Sequence, residues 1–351
     1  MSDKDIKSEF VRVPSEWEPY ETVMVAWPHA DTDWKPMLSE IDECYCRIAE
    51  AIAESGLRLL ILTPEPERLK TFLGAIPADR VILFKYRTND TWTRDYGPIT
   101  VYSHDGIPFV CDFRFDGWGL KFASNLDNLA NLTMLGSGLL TRNYISRMDY
   151  TFEGGSMEVD GNGTMLSTAH CLQSLNRNGY KTIEQLGDYF RHTLGIKRLF
   201  LLEHGHLEGD DTDSHIDTLA RFAPGDTIVY VKCYNPNDSH YEELNLMEKE
   251  LQELRTEEGL PYNLIGLPLP DAIYDEDGER LPATYANFLV TPASVLMPVY
   301  GQPDNDRLAL QMLQVAYPDR EIRCVDCRAL IRQHGSLHCA TMQLPEGVVR
   351  I

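Results

Sequence analysis

The sequence predicts an α/β protein folded as a single domain over residues 1–351. Three observations predict it. Short β-rich apolar runs alternate with amphipathic helical stretches from one end of the chain to the other. No stretch rich in Pro, Gly or Ser interrupts that alternation, and a composition of 43% hydrophobic and 25% charged residues is that of a globular, water-soluble chain. Only the polar first residues, about 1–10, are expected to be disordered.

The elements follow in order. "TVMVAW" (22–27) reads as a strand. After Pro36, residues Leu38, Ile41, Tyr45, Ile48 and Ile52 fall on one helical face, and Gly56 supplies the stop. "LRLLILT" (57–63) and "RVILFKY" (80–86) are strands, with "PERLKTFL" a helix between them. "TIEQLGDYFRHTL" (182–194) is a helix, "RLFLL" (198–202) and "TIVYVK" (227–232) are strands, and "YEELNLMEKELQELR" (241–255) is a helix. "YANFLV" and "SVLMP" are strand-like, followed by the helix "DNDRLALQMLQVAY" and the strand "EIRCV". The stretches around 118–150 and 268–284 carry no clear period. No sequence repeat is visible, although the β/α alternation is compatible with a structural one.

Bulk properties exclude several classes. A net charge of −22 repels phosphate backbones and anionic lipid, so neither nucleic acid nor membrane is an expected partner; it favours the approach of a small cation. No apolar run approaches membrane-spanning length, and the first residues hold no signal-peptide core, which predicts a cytoplasmic protein. A homo-oligomer is compatible with the sequence. Eight cysteines in 351 residues are too sparse for a disulfide scaffold. "CVDC" (324–327) and "CYC" (44–46) read as packing residues rather than zinc ligands.

Four loop-like clusters carry chemistry. "NDTWTRDYGP" (89–98) sets Trp92 and Asp95 close enough to line one pocket, an aromatic face and a carboxylate for a planar cation; the bland alternative is a turn with Arg94 paired to an aspartate. In "EGGSMEVDGNGT" (153–164), "DGNG" signals a hairpin, and Glu153 precedes a double glycine that lets backbone approach a ligand. "EGDDTDSHIDTLARF" (208–222) places His215 and Asp217 two apart, on one side of a strand, as a general acid/base beside a cation-binding carboxylate. "HGSLHCATMQ" (334–343) contains Cys339. A thiolate nucleophile needs a histidine, whereas nearby carboxylates oppose its ionisation. The carboxylates make sense where the substrate itself is cationic, and a guanidinium offers the planar donors they require. A zinc hydrolase using His204, His206, His215 and Asp217 is a rival reading.

These motifs, in this order, resemble the agmatine deiminases and the bacterial-type peptidylarginine deiminases of the guanidino-group-modifying superfamily. The similarity runs from "VPSEWEPYETVMVAWPH" through the four clusters, "LNRN" (175–178) and "YANF" (285–288), to "HGSLHCATMQLP". It implies a pseudo-fivefold α/β propeller of ββαβ-type units with no metal and no cofactor. It implies Cys339 as nucleophile, His215 as general acid/base, Asp95 and Asp217 as guanidinium carboxylates, Glu153 as support for the histidine, and Trp92 as a pocket wall. "FDGWGLKF" (115–122) aligns with a family "FNAWG" segment and makes Trp118 a further pocket candidate. Agmatine is the expected substrate, with Asp211 facing its terminal amine; peptidylarginine is the alternative. Amidinotransfer, or a silent binder of guanidino or polyamine cations, would use the same pocket. The chain departs from the family pattern at "HGS", where three glycines are common, at Ala169-His170, and at Asp116.

Overall fold

The computed structural model describes residues 10–350, so the expectation for the first residues lies, but for Phe10, outside the described residues. The fold is mixed α/β, built of five small sheets. In each, one short strand pairs antiparallel with a second, and the second pairs parallel with a third after a helical crossover. Thr164–Thr168 is antiparallel to Glu158–Val159 and parallel to Arg198–Leu202, with helix Ile183–Leu194 between. Ala220–Ala223, Thr227–Lys232 and Asn263–Pro268 repeat the pattern around helix Tyr241–Glu253. Leu289–Val290, Ser294–Val299 and Glu321–Asp326 repeat it around helix Pro303–Ala316. Ile99–Ser103, Pro108–Arg114 and Tyr144–Thr151 do so around Ala130–Gly136, with Phe10–Arg12 added at the edge.

The remaining sheet takes its first strand from the far end of the chain. Met342–Leu344 pairs antiparallel with Thr22–Ala26, which lies parallel to Arg58–Thr63 and that strand to Val81–Lys85. The end of the chain thereby completes the unit begun near its start. Thr22–Ala26 is buried along its whole length, as an unbroken apolar run in a parallel sheet must be.

The helices form for local reasons. Leu38–Glu54 buries Ile41, Tyr45, Ile48 and Ile52 on one face and gives way at Gly56, whose φ of 85° is left-handed. Ile183–Leu194 opens on a capping box between Thr182 and Gln185 and closes on left-handed Gly195. Strands Ile99–Ser103, Pro108–Arg114, Tyr144–Thr151, Asn263–Pro268 and Met342–Leu344 went unread in the sequence. Among the described residues no helix is long and apolar enough to cross a membrane.

Candidate active site

The chemistry-bearing residues come from one recurrent place, the segment entering the first strand of each unit. Asp95 precedes Ile99, Glu153 precedes Glu158, His215 and Asp217 precede Ala220, Asn287 precedes Leu289, and Cys339 precedes Met342. Five separate units therefore aim side chains at one point. Cys339, Asp95, Trp92, Trp118 and Asp211 line a single cavity of about 130 Å³. His215, Asp217 and Glu153 are wholly buried beside it.

Gly155 shows how tightly the groups converge. A Cβ there would lie 2.6 Å from His215 Nδ1, 2.8 Å from Asp95 Oδ1 and 3.2 Å from Asp217 Oδ2, so only glycine fits. Its N–H donates to Asp95 Oδ1 at 3.0 Å, and Trp118 Nε1 donates to Asp95 Oδ2 at 2.9 Å. Trp118 reaches that position from a run of four left-handed residues, 117–120, held by Asp116, whose side chain accepts from the Gly119 N–H. One of the departures from the family pattern thus positions a pocket wall. Trp92 packs directly on Gly335, leaving no room for a side chain at that position.

Cys339 Sγ lies 3.6 Å from Asp217 Oδ2 and accepts from Asn287 Nδ2 at 3.2 Å. Asn287 Oδ1 in turn accepts from the backbone N–H groups of His338 and Cys339, fixing the turn that carries Cys339. Asp217 Oδ1 is buried and has no hydrogen-bond partner among the described residues. His215 stands between two carboxylates, with Nδ1 3.5 Å from Asp95 and Nε2 3.7 Å from Glu153. Glu153 is itself gripped by Arg177 Nε at 2.8 and 2.9 Å.

The electrostatics follow from this layout. Burial, Asp217 and Asp95 push the Cys339 thiol well above the usual range, so it rests protonated. Burial carries Asp95 up to about 6, against the pull of His215. Burial opposes charge on His215, but Asp95, Cys171 and Glu153 outweigh it and raise the imidazole well above its ordinary value. Burial would likewise raise Asp217 and Glu153, yet His338 lowers the first and Arg177 the second. A thiol that ionises poorly in an empty, anionic pocket becomes easier to ionise when a cation enters it.

The acidic run at 210–213 divides its labour. Asp210 caps its own turn through Thr212 and Ser214. Asp213 pairs with Arg177 and Lys121 at 2.6 Å each. Asp211 alone faces the cavity, 41% exposed, with His334 Nε2 at 3.9 Å.

Three readings need correction. His215 and Asp217 lie not on a strand but at a 3₁₀ turn, Ile216–Thr218, closed by Thr218 onto the His215 carbonyl. Arg94 pairs with Glu16 at 3.2 Å rather than with an aspartate. The zinc set is not assembled: His204 is bonded to Glu250 on helix Tyr241–Glu253, and His206 Nδ1 contacts Ser214 Oγ at 3.4 Å. The one cluster of three metal-capable groups among the described residues is Glu153, Cys171 and His215. Both Glu153 oxygens there are taken by a guanidinium, so the set does not fit a divalent cation. Cys324 is exposed and Cys327 buried, on the strand Glu321–Asp326 and just past it.

Asn287, Arg177, Cys171 and His338 were missed as site residues. The first two lie in "YANF" and "LNRN", stretches singled out without a role. Only their placement at the cavity reveals the chemistry.

A thiol and a carboxylate line one cavity, with a second carboxylate and an imidazole buried beside it, an arrangement that suits covalent chemistry on a planar cation. Residues 12–345 match the model of the Porphyromonas-type peptidyl-arginine deiminase family, and the chain belongs to that family, hydrolases acting on guanidino C–N bonds. The structure is similar to that of a C. jejuni agmatine deiminase variant with substrate bound, at 35% identity, a TM-score of 0.88, and 96% and 97% of the two chains covered. It is similar to a Porphyromonas gingivalis protein provisionally described as an arginine deiminase (45% identity, TM-score 0.90, 97% and 99% covered). A Legionella pneumophila protein, provisionally named agmatine deiminase, is 32% identical over 95% of both chains.

Proposed function

We propose that this chain is an agmatine deiminase, converting agmatine and water to N-carbamoylputrescine and ammonia. The observation that carries the reading is the buried Asp217 carboxylate, with Oδ2 3.6 Å from Cys339 Sγ and Oδ1 unpartnered, together with Asp95 on the wall of the cavity that Cys339 lines. Asp95 and Asp217 hold the guanidinium, whose positive charge offsets what keeps the thiol protonated. As the cation binds, the Cys339 thiol releases its proton to solvent; the thiolate attacks the guanidinium carbon, His215 gives a proton to the departing nitrogen, and ammonia leaves a planar thiouronium. His215 then takes a proton from water, whose oxygen adds to the same carbon. The C–S bond breaks, returning the thiol and a neutral urea that the carboxylates hold less well. Glu153, fixed by Arg177, keeps the imidazole charged and oriented. No step needs a metal or organic cofactor.

The indoles of Trp92 and Trp118 line the cavity with Cys339, and Asp211 lines it where a terminal ammonium would reach, which supports a small dication. The five sheets sharing one topology support a pseudo-fivefold propeller around the cavity, in a single domain. The charge and composition support a cytoplasmic protein without nucleic-acid or membrane partners. Peptidylarginine remains a second reading, because the family model and some similar structures carry that name. Ammonia release measured over agmatine, free arginine and arginyl peptides decides between them: agmatine is expected to give the highest kcat/KM, and faster turnover of peptides overturns the assignment. Activity is expected to survive exhaustive chelation; loss with rescue by zinc would restore the metallohydrolase.

A further inference from the structure

Behind Asp217 lies a buried row of groups that the proposed chemistry does not use. His338, the residue before the nucleophile, is fully buried. Its Nδ1 is 2.7 Å from Asp217 Oδ2 and its Nε2 is 2.7 Å from Glu16 Oε1. Arg221 Nη2 also lies 3.1 Å from Nε2 and is bonded to Glu16. Arg94 Nη1 is 3.2 Å from Glu16 Oε1. Glu158 completes the cluster through Arg221 Nε at 2.6 Å.

The proton count is the informative part. A neutral imidazole has one N–H and one lone pair. Here each ring nitrogen faces a carboxyl oxygen at hydrogen-bond distance, and two lone pairs cannot meet at 2.7 Å in a dry interior without a proton between them. The row Asp217–His338–Glu16 must therefore hold one proton more than two carboxylates and a neutral ring. On this side the carboxyls of Glu16, Glu158 and Asp217 face the guanidiniums of Arg94 and Arg221, and Asp217 is also near the imidazole of His215 on the cavity side. Glu158, which burial carries up to about 8, is the competing home for that proton, although its two oxygens already accept from Arg221 Nε and the Phe222 N–H.

Glu16 is 14% exposed and lines a second cavity of about 70 Å³, with Arg94, Glu158 and Gln343, that shares no lining residue with the first. We propose that Asp217, His338 and Glu16 form a proton-sharing row linking the guanidinium-binding carboxylate to this second cavity, with His338 as the positioning residue at its centre. The inference rests on the reading of Asp217 as a guanidinium ligand. In the empty enzyme the shared proton lies toward Asp217 and tempers its repulsion with Asp95. Arrival of a cation at Asp217 Oδ1 displaces the proton toward Glu16, and formation of a neutral urea lets it return. No proton is gained or lost by the row in a cycle.

Proton NMR on Cys339→Ala protein, which cannot turn over, tests this with guanidinium chloride at low concentration as the probe. A strongly deshielded imidazole resonance is expected, displaced on adding guanidinium, removed by Cys339→Ala/His338→Gln and shifted in Cys339→Ala/Glu16→Gln. In steady state, Glu16→Gln is expected to raise KM for a cationic guanidine several-fold more than it lowers kcat, with an altered pH dependence of KM. A missing resonance, one that ignores guanidinium, or one that survives His338→Gln overturns the row and returns the proton to Glu158. Should His338→Gln fail to fold, Glu16→Gln carries both measurements. Should no guanidine be turned over at all, the proposed function falls, while the guanidinium response of the resonance still decides the row.

Discussion

Gly155→Ala is the sharpest single perturbation of this site. The added methyl carbon would stand 2.6 Å from His215 Nδ1, 2.8 Å from Asp95 Oδ1 and 3.2 Å from Asp217 Oδ2. Gly155 is not among the residues of positive φ, so alanine meets no backbone strain and the effect is steric. Each group it meets is tethered: Asp95 by Trp118, Asp217 by His338, and His215 by its turn. The methyl is accommodated only by spreading them by several tenths of an ångström or more. Overpacking of this kind costs about 1–3 kcal/mol of stability. A misplacement approaching 1 Å costs roughly 100-fold in rate, or about 3 kcal/mol of transition-state stabilisation. Gly187 is the control: it lies inside helix Ile183–Leu194 with open space around its Cβ position, and alanine there should stabilise by roughly 0.5–1 kcal/mol. Steady-state ammonia release and thermal unfolding on both variants form the assay. Near-normal kcat in folded Gly155→Ala would refute the claim that these three groups meet around one backbone position.

Three further outcomes are expected. Cys339→Ala abolishes ammonia release with a native circular dichroism spectrum, whereas Cys324→Ala, at an exposed position outside the cavity, leaves turnover intact; residual activity of Cys339→Ala comparable to wild type removes the covalent mechanism. Asp211→Asn weakens agmatine use through KM by about 1–3 kcal/mol, several-fold to a hundred-fold, and barely affects a guanidine lacking the terminal amine; equal losses on both take Asp211 out of the amine site. Iodoacetamide alkylates Cys339 slowly at neutral pH, and its rate keeps rising above the pH at which an ordinary thiol has levelled off, because burial, Asp217 and Asp95 disfavour the thiolate. Asp95→Asn removes one of those charges and should move the profile to lower pH; an unmoved profile contradicts the electrostatic account.

The site was more legible in the sequence than the fold that builds it. Trp92, Asp95, Trp118, Asp211 and Cys339 reach one cavity, and His215, Asp217 and Glu153 lie buried beside it, because each belongs to a polar motif beside glycine or an aromatic residue. The α/β class was equally readable from period alone. Strands such as Pro108–Arg114 and Tyr144–Thr151 were not, because their burial is only partly alternating and the helices between them are short turns of three to seven residues with no clear period. Glu158–Val159 and Leu289–Val290, only two residues long, were read through the hairpin signal "DGNG" and the strand-like run "YANFLV" around them. The conformation at His215 was misjudged: a spacing of two suits a strand, but a 3₁₀ turn also turns both side chains to the cavity.

What spacing could not supply is the rule that selects the residues. Asp95, Glu153, Asp217, Asn287 and Cys339 each stand two to five positions before the first strand of their unit. Asn287 looks like an unremarkable amide in "YANF" until its counterparts in the other units are seen to be Asp95, Glu153, Asp217 and Cys339. The same rule accounts for the placement of His338. Preceding the nucleophile at the entry to strand Met342–Leu344, it turns away from the substrate cavity toward Asp217, Glu16 and Arg221. Successive residues of one segment thus face opposite ways, Cys339 lining the cavity and His338 contacting Asp217, Glu16 and Arg221. The two carboxyls that His338 meets on that hidden side, one at each ring nitrogen, are what require a shared proton, and a cation entering the cavity is the event that would move it.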